Sequence, residues 1–394
     1  MAQNKKIRIL LTGGGSGGHV YPLLAVTEAL RAVTASENIS AMFFFMGPKD
    51  RYRSMFDGFG VSSSPILAGK YRRYFSPLNV LDAIKFFLGT IQAFFKMFLI
   101  MPDVIFSKGG PGALSVVFAG WFFRIPIVIH ESDVTPGVTN MLSSIFARRI
   151  LVSFEATLKL FSREKTIFTG NPGRRSSEKP VTPEEAKQRL GFDPKKPLTM
   201  FLGGSQGSAK INEFVVSNLT SLLQVTQIAH QTGEGQFAEI EKLARAARPD
   251  VKIMKVDVVR IPSLGDERTF PYQISPYLEN EFELVFIAAD AVVSRAGSGA
   301  ISTIAAFGKP SILIPHPLPA SANDHQRANA YEYAKSGAAK VIEEVNLVHE
   351  IFVRELSDII EHADVREKME AAARASFNPQ IPETIAKEIL AVVG

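Results

Sequence analysis

His19 closes the run Thr12-Gly13-Gly14-Gly15-Ser16-Gly17-Gly18-His19, behind an apolar strand-like segment, Ile7 to Leu11, and ahead of a helix-like stretch, Val20 to Ala32. Glycines tolerate positive φ and let bare backbone approach a ligand, while the amides of a helix's first turn aim partial positive charge at it. Strand, glycine loop and helix in that order make an anion site. A histidine beside such a site, with a pKa near neutrality, can take a proton from an attacking hydroxyl. Standing alone, it would more often be a capping or packing residue. A second loop of the same kind, Gly203-Gly204-Ser205-Gln206-Gly207-Ser208, follows the strand-like Leu198 to Leu202.

Two more segments suit a phosphorylated, hydroxyl-rich ligand. Asp290 to Gly299 reads as a strand opening into small residues at a helix amino terminus, with Arg295 and Gly297 in the turn. Asn323-Asp324-His325-Gln326-Arg327-Ala328-Asn329 clusters polar side chains behind the strand-like Ile312 to Pro315, although solvated loop polarity would look similar.

Two glycine loops in 394 residues predict two α/β domains, each a doubly wound sheet, with a site between them. Predicted strands in the first half are Ala41 to Met46, Val104 to Ser107, Ile125 to Ile129 and Arg149 to Val152. In the second half they are Gln227 to Gln231, Lys252 to Val256, Ala291 to Ser294 and Ser311 to Pro315. Gly170-Asn171-Pro172-Gly173 and the charged run Arg174 to Glu185 read as an interdomain linker, and a helix, Glu383 to Val393, ends the chain.

With 46% apolar and 21% charged residues the chain is globular rather than disordered. It has no cysteine, which excludes disulfides, thiolate nucleophiles and cysteine-ligated zinc. No signal peptide is read at the amino terminus, and a cytoplasmic protein is expected. The net charge of +5 and pI near 9.2 suit an anionic membrane face or a phosphorylated ligand. Lys70, Arg72 and Arg73, interleaved with tyrosines, precede the greasy segment Asn79 to Met101. There Asp82, Lys85, Gly89, Gln92 and Lys96 form one narrow polar stripe on a helical projection, and Phe86, Phe87, Phe94, Phe95 and Phe98 spread over the rest. Such a helix either lies on a membrane surface or is buried in the fold, and the basic entry favours membrane contact.

Gly13, Gly15 and Gly18 also satisfy the dinucleotide glycine spacing, but no acid ends the second strand to hold ribose hydroxyls, and Asp50 comes too late. The loop lacks the Lys-Ser/Thr of a P-loop. Phosphate or sugar binding remains, with a dinucleotide-dependent oxidoreductase as the weaker alternative.

Taken together these segments resemble the MurG family of glycosyltransferases over nearly the whole chain. Gly13 to His19 resembles its GGTGGH loop, His130-Glu131 the start of HEQN, and Thr139-Asn140 its LTN. Gly170 to Arg174 resembles GNPVR, Gly203 to Gly207 is GGSQG, Arg295-Ala296-Gly297 resembles RxG, and His325 to Ala330 fits HQxxNA. The resemblance implies the GT-B fold: two doubly wound Rossmann-like domains facing a cleft. It implies an acceptor and membrane domain over 1–170, completed by 378–394, and a nucleotide-sugar donor domain over 171–377.

The implied reaction is inverting transfer of N-acetylglucosamine from UDP-N-acetylglucosamine to the muramyl 4-hydroxyl of lipid I, giving lipid II, at the cytoplasmic face of the bacterial membrane. His19 is the implied base. Gly14, Gly15, Ser16, Gly17, Gly18, His130 and Asn140 are implied on the acceptor side. On the donor side stand Ser16, Gly17, Gly18, Arg174, Gly204, Ser205, Gln206, Tyr277, Leu278, Arg295, Gly297, Thr303, His325, Gln326 and Asn329. No metal or other cofactor is implied, since arginine and a helix terminus can meet the charge on departing UDP. The implied partners are UDP-N-acetylglucosamine, lipid I and the anionic inner membrane surface, and no nucleic acid.

Three departures stand out. The family usually carries glutamate at the position of Thr303, whose one hydroxyl cannot clasp two ribose hydroxyls as a carboxylate does. Lys108-Gly109-Gly110-Pro111-Gly112-Ala113 replaces a loop with an aromatic, and Ser132-Asp133 replaces Gln-Asn. Beyond these, the stretch Val258 to Pro271 looks like an insertion, relative to the family, beside the uracil-binding segment. A related GT-B enzyme with another lipid acceptor or nucleotide sugar, and a non-catalytic sugar-nucleotide binder, therefore stay open.

Overall fold

The computed structural model describes residues 6–15, 17–49, 52–69, 78–173, 181–204, 207–248, 253–255, 269–278, 281–317 and 324–393. The chain divides into two compact units, Met1–Arg174 with Asn378–Gly394, and Arg175–Phe377.

The first unit is built on seven parallel strands: β1 (Lys6–Thr12), β2 (Ser40–Pro48), β3 (Ser62–Ile66), β4 (Val104–Ser107), β5 (Ile127–Glu131), β6 (Arg149–Val152) and β7 (Thr166–Phe168). Their order is β3-β2-β1-β4-β5-β6-β7, so the direction of winding reverses between β1 and β4. At such a switch point the loops leaving the carboxyl ends of the strands diverge and leave a crevice. The helices are α1 (Gly17–Ser36), α2 (Arg53–Gly58), α3 (Leu78–Ile100), α4 (Ala113–Phe122) and α5 (Val138–Ser144). The central strands β4 and β5 are buried throughout and apolar up to their carboxyl ends, where Ser107, His130 and Glu131 stand.

The second unit repeats the plan with β8 (Leu198–Leu202), β9 (Gln227–Gln231), β10 (Ile253–Lys255), β11 (Tyr272–Ser275), β12 (Ala291–Ser294), β13 (Ser311–Leu313) and β14 (Ala339–Val341). The order is β10-β11-β9-β8-β12-β13-β14, all parallel, with the switch point between β8 and β12. Its helices are α6 (Pro183–Leu190), α7 (Ala209–Ser217), α8 (Leu219–Val225), α9 (Phe237–Ala247), α10 (Phe282–Ala288), α11 (Ser298–Ala306), α12 (His325–Ala334), α13 (His349–Glu361) and α14 (Ala363–Ala375). The last helix, α15 (Ile381–Leu390), belongs to the first unit. Its Ile381, Ile385 and Ile389 are buried in one cluster with Leu23, Val26 and Leu30 of α1, each worth roughly 1.5–3 kcal/mol of apolar burial.

Several expectations need correction. α1 starts at Gly17 rather than Val20, so His19 sits inside its first turn. β5 begins after Pro126 and runs through Glu131, which puts His130 within the strand. The linker expected to reach Glu185 ends earlier. Thr182 caps α6 by accepting from the Glu185 amide at 3.2 Å, with Pro183 in the first turn. The segment Val258 to Pro271 lies largely outside the described residues.

α3 settles the choice between a buried and a surface helix. Most of its polar stripe faces inward, Lys85 alone being exposed: Asp82 is buried, Gln92 Oε1 accepts from the Leu67 amide at 2.9 Å, and Lys96 Nζ donates to the Pro65 carbonyl. Gly89 belongs to this inner face because a Cβ there would stand 2.0 Å from the Leu67 oxygen. The phenylalanine face points outward, with Phe87 65%, Phe95 70% and Leu99 80% exposed. Phe94 departs from the expectation for its neighbours. It is half-buried between helices, with its ring 5.0 Å from that of Phe122 and 5.9 Å from that of Phe118.

Candidate functional site

The glycine loop leaves the carboxyl end of β1, and Lys108 to Gly112 leaves the adjacent end of β4, so the two flank the first switch point. Gly110, at φ +87°, brings them together: a Cβ there would lie 2.8 Å from the Gly14 oxygen and 3.6 Å from the His19 ring. Bare backbone therefore stands beside the histidine.

His19 Nδ1 lies 3.0 Å from the Lys108 carbonyl oxygen. A carbonyl only accepts, so Nδ1 carries the hydrogen and Nε2 keeps a lone pair. Burial, and then the Lys108 charge, hold the His19 pKa below its ordinary value of 6.5, against the Lys108 carbonyl and Asp133. A neutral imidazole with a free Nε2 is the form a general base requires.

Behind the loop lies a buried polar knot. Lys108 is 1% exposed, and its Nζ meets His130 Nδ1 at 2.6 Å, Asn171 Oδ1 at 3.2 Å and the Ser132 hydroxyl. His130 Nε2 donates to the Gly170 carbonyl at 2.9 Å. Glu131 accepts from the Asp133 and Gly137 amides and from Asn140 Nδ2, all within 3.0 Å. Asn140 also donates to the His130 carbonyl at 3.2 Å, tying α5 to the end of β5. Burial, then Asp133, push the Glu131 carboxyl up to about 7, while burial pulls Lys108 down to about 7 against the pull of Glu131 and Asp133. His130 and Asn140, expected to face an acceptor, are thus enclosed and hold the loops in place. Lys108, Ser132 and Asn171 were missed as members of this knot; the one signal was a lysine opening a glycine loop directly after an apolar strand.

In the second unit, Gly204 is exposed at φ +80° with open space where a Cβ would stand, so the loop after β8 presents bare backbone. Gly297 caps α11 beside the same switch point, again with nothing near a Cβ position. Arg295 is not an open phosphate ligand. Its Nε donates to Ser208 Oγ at 3.0 Å, its Nη1 to the Ile314 and Pro315 carbonyls at 3.2 Å, and Nη2 pairs with Glu344. The guanidinium braces the loops after β8, β12 and β13.

Thr303 is buried and gives its hydroxyl to the Gly299 carbonyl at 2.9 Å. Asn329 donates to the Ala296 carbonyl at 3.2 Å, and Gln326 Oε1 accepts from the His316 amide at 3.1 Å. These bonds fix the start of α12, where His325 is half-buried. Leu278 is a core residue whose amide donates to Gln231 Oε1 at 3.2 Å, and Tyr277 beside it is half-buried. Gly15 and Gly18 are exposed, whereas Gly14 and Gly17 are buried. Ser16, Lys70, Arg72, Arg73, Arg174, Ser205 and Gln206 lie outside the described residues. Among the described residues no three His, Asp or Glu side chains converge as metal ligands.

Two all-parallel α/β units, each with a glycine loop at its switch point, make up the GT-B type of fold. Residues 9–152 match the glycosyltransferase family 28 N-terminal domain, and residues 198–385 match the family's C-terminal domain. A Bacillus cereus protein named UDP-N-acetylglucosamine–N-acetylmuramyl-(pentapeptide) pyrophosphoryl-undecaprenol N-acetylglucosamine transferase 2 is 36% identical over 353 residues, 89% of this chain and 91% of its own. A Treponema denticola transferase of the same name without the numeral is 33% identical over 382 residues, covering 93% of this chain and 92% of its own. The crystal structure of Acinetobacter baumannii MurG shares the fold with a TM-score of 0.68 at 21% identity, over 98% of this chain and all of that one. The chain belongs to glycosyltransferase family 28 and, within it, to the MurG family of N-acetylglucosamine transferases.

Proposed function

We propose that this protein transfers N-acetylglucosamine from UDP-N-acetylglucosamine to the muramyl 4-hydroxyl of lipid I, forming lipid II for peptidoglycan synthesis. The observation that carries the reading is the ordered match to both family 28 domains in one chain whose relatives are named for this transfer. The His19 geometry supports it chemically. Nε2 takes the proton as the 4-hydroxyl attacks the anomeric carbon in line, and UDP leaves from the opposite face.

The amides of Gly13 to Gly18 face the acceptor pyrophosphate in this reading, with the start of α1 adding its partial positive charge. In this reading the second unit holds the donor through the Gly204 to Gln206 loop and the α11 terminus at Gly297, and Arg174, from the end of the first unit's main segment, joins them in stabilising the diphosphate as it departs. The transfer needs both ligands at once.

The acceptor is lipid-borne, and the first unit carries a surface suited to reaching it. Val80–Ile100 is the one helix among the described residues long and apolar enough to cross a membrane, yet its inner side packs through its polar stripe. Exposed Trp121 and Phe122 of α4, Met141 and Leu142 of α5 and Ile145 continue the apolar surface. We read it as a peripheral membrane face, at which an aromatic ring with one polar atom sits well.

Thr303 favours a second reading, a related enzyme with another nucleotide sugar, because its hydroxyl is already bonded within α11. Purified protein given lipid I with either UDP-N-acetylglucosamine or UDP-glucose decides between them. The proposal expects lipid-linked disaccharide from the first donor. A preference for UDP-glucose would overturn it in favour of the second reading.

A further inference from the structure

Lys108 is a buried lysine that the reaction as written does not use, yet it touches the catalytic machinery in two ways. Its carbonyl receives His19 Nδ1–H, and its ammonium sits in the knot below the glycine loop. The acceptors come from three places: His130 at the end of β5, Ser132 in the turn after it, and Asn171 after β7. His130 spends its Nε2 hydrogen on the Gly170 carbonyl, so Nδ1 offers Lys108 a lone pair. Three acceptors match the three hydrogens of an ammonium; a neutral amine would turn its own lone pair toward one of them. Glu131, gripped by three donors, is the matching carboxylate.

A cation enclosed in protein acts on its neighbours far more strongly than one in water. The charged groups that bear on His19 are Lys108, which opposes a second positive charge on the ring, and Asp133, which favours one. Those that bear on Lys108 are Glu131 and Asp133, with His130 in direct contact. We propose that Lys108 is a positioning residue for the transfer: its carbonyl aims the His19 ring, and its buried ammonium, held in the knot, adds to burial in opposing a second positive charge beside it. The consequence for transfer rests on the reading of His19 as the base; the effect on the His19 ring does not.

The test follows the His19 ring by NMR, with the resonance assigned among the seven histidines by its loss in His19→Ala, and follows kcat/KM against pH in parallel. Lys108→Met removes the charge, and the His19 titration midpoint moves up by about half a pH unit or more, with the acid limb of kcat/KM moving by the same amount. Lys108→Arg keeps the charge and leaves the midpoint low even where the rate falls, an outcome that a purely structural role would not separate from Lys108→Met. Lys108→Gln also removes the charge but keeps a polar end for the knot, and it moves the midpoint the same way, which keeps the test intact if Lys108→Met does not fold. An unmoved midpoint in the folded charge-removing variant, or a shift in Lys108→Arg equal to it, would overturn the proposal. Normal turnover by His19→Ala would instead remove the base reading and leave the NMR result to decide the role of Lys108.

Discussion

His19 Nδ1 and the backbone oxygen of Lys108 are 3.0 Å apart across 89 residues of sequence, and that contact decides which ring nitrogen can act. The lone pair is left on Nε2, beside Gly110. Because burial and the Lys108 charge lower the His19 pKa, the neutral, active form persists below pH 6.5. The acid limb of kcat/KM for transfer is therefore expected below 6.5. A limb centred above 6.5 would mean that the ring is not held in this way.

The outward phenylalanine face of α3 makes a separate prediction. Replacing Phe87 and Phe95 together with glutamate leaves the packing of the unit unchanged, since both rings are mostly exposed, but puts two charges where lipid would lie. Sedimentation with anionic vesicles should fall by at least about tenfold, given the ~1.5–3 kcal/mol that burying each ring contributes. Transfer to a short-chain, water-soluble acceptor should hardly change. Undiminished vesicle binding would show that lipid lies elsewhere.

His230 in the second unit makes a stability prediction. Its Nδ1 is 3.0 Å from the Tyr272 hydroxyl and its Nε2 2.9 Å from Asn212 Oδ1, and burial pulls its pKa down to about 3. Between pH 6.5 and 3 the unfolded chain binds a proton that the native chain refuses, so stability is full above 6.5 and falls on acidification, by ~1.4 kcal/mol per pH unit. Urea denaturation from pH 7 to 5 should show this slope, with a further contribution from His130, whose pKa burial also lowers. In His230→Gln the slope should flatten by one proton; an unchanged slope would contradict the assignment.

Most interior strands were legible because a parallel strand covered on both faces is largely apolar: Val104–Ser107, Arg149–Val152, Leu198–Leu202 and Ala291–Ser294 fell where expected, and Gln227–Gln231 did so despite its polar Gln227, His230 and Gln231. The edges were not. Ser62–Ile66 carries three serines and a proline, and Thr166–Phe168 and Ala339–Val341 are three residues each, too short for any periodicity. β11 hid for another reason. Its Tyr272 and Gln273 are polar residues buried with partners at His230 and the Leu190 carbonyl, which sequence alone does not reveal.

The candidate site divided in the same way. Glycine loops announce themselves because only glycine permits the backbone path. The Lys108 knot draws its acceptors from 22, 24 and 63 residues away, and only the folded sheet brings His130, Ser132 and Asn171 to one atom. The inward polar stripe of α3 was visible as a stripe, but which side faced the protein depended on Leu67 and Pro65, the main-chain partners of Gln92 and Lys96.

The central claim is direct sugar transfer with His19 as proton acceptor. It is tested most directly by giving wild-type and His19→Ala protein, matched in thermal unfolding midpoint, UDP-N-acetylglucosamine and lipid I, and measuring the lipid-linked disaccharide by mass spectrometry. The wild type should form it, and the variant should be slower by about 10²–10⁴-fold, the usual worth of a general base. Equal rates in the two proteins, or no disaccharide from the wild type, would contradict the account.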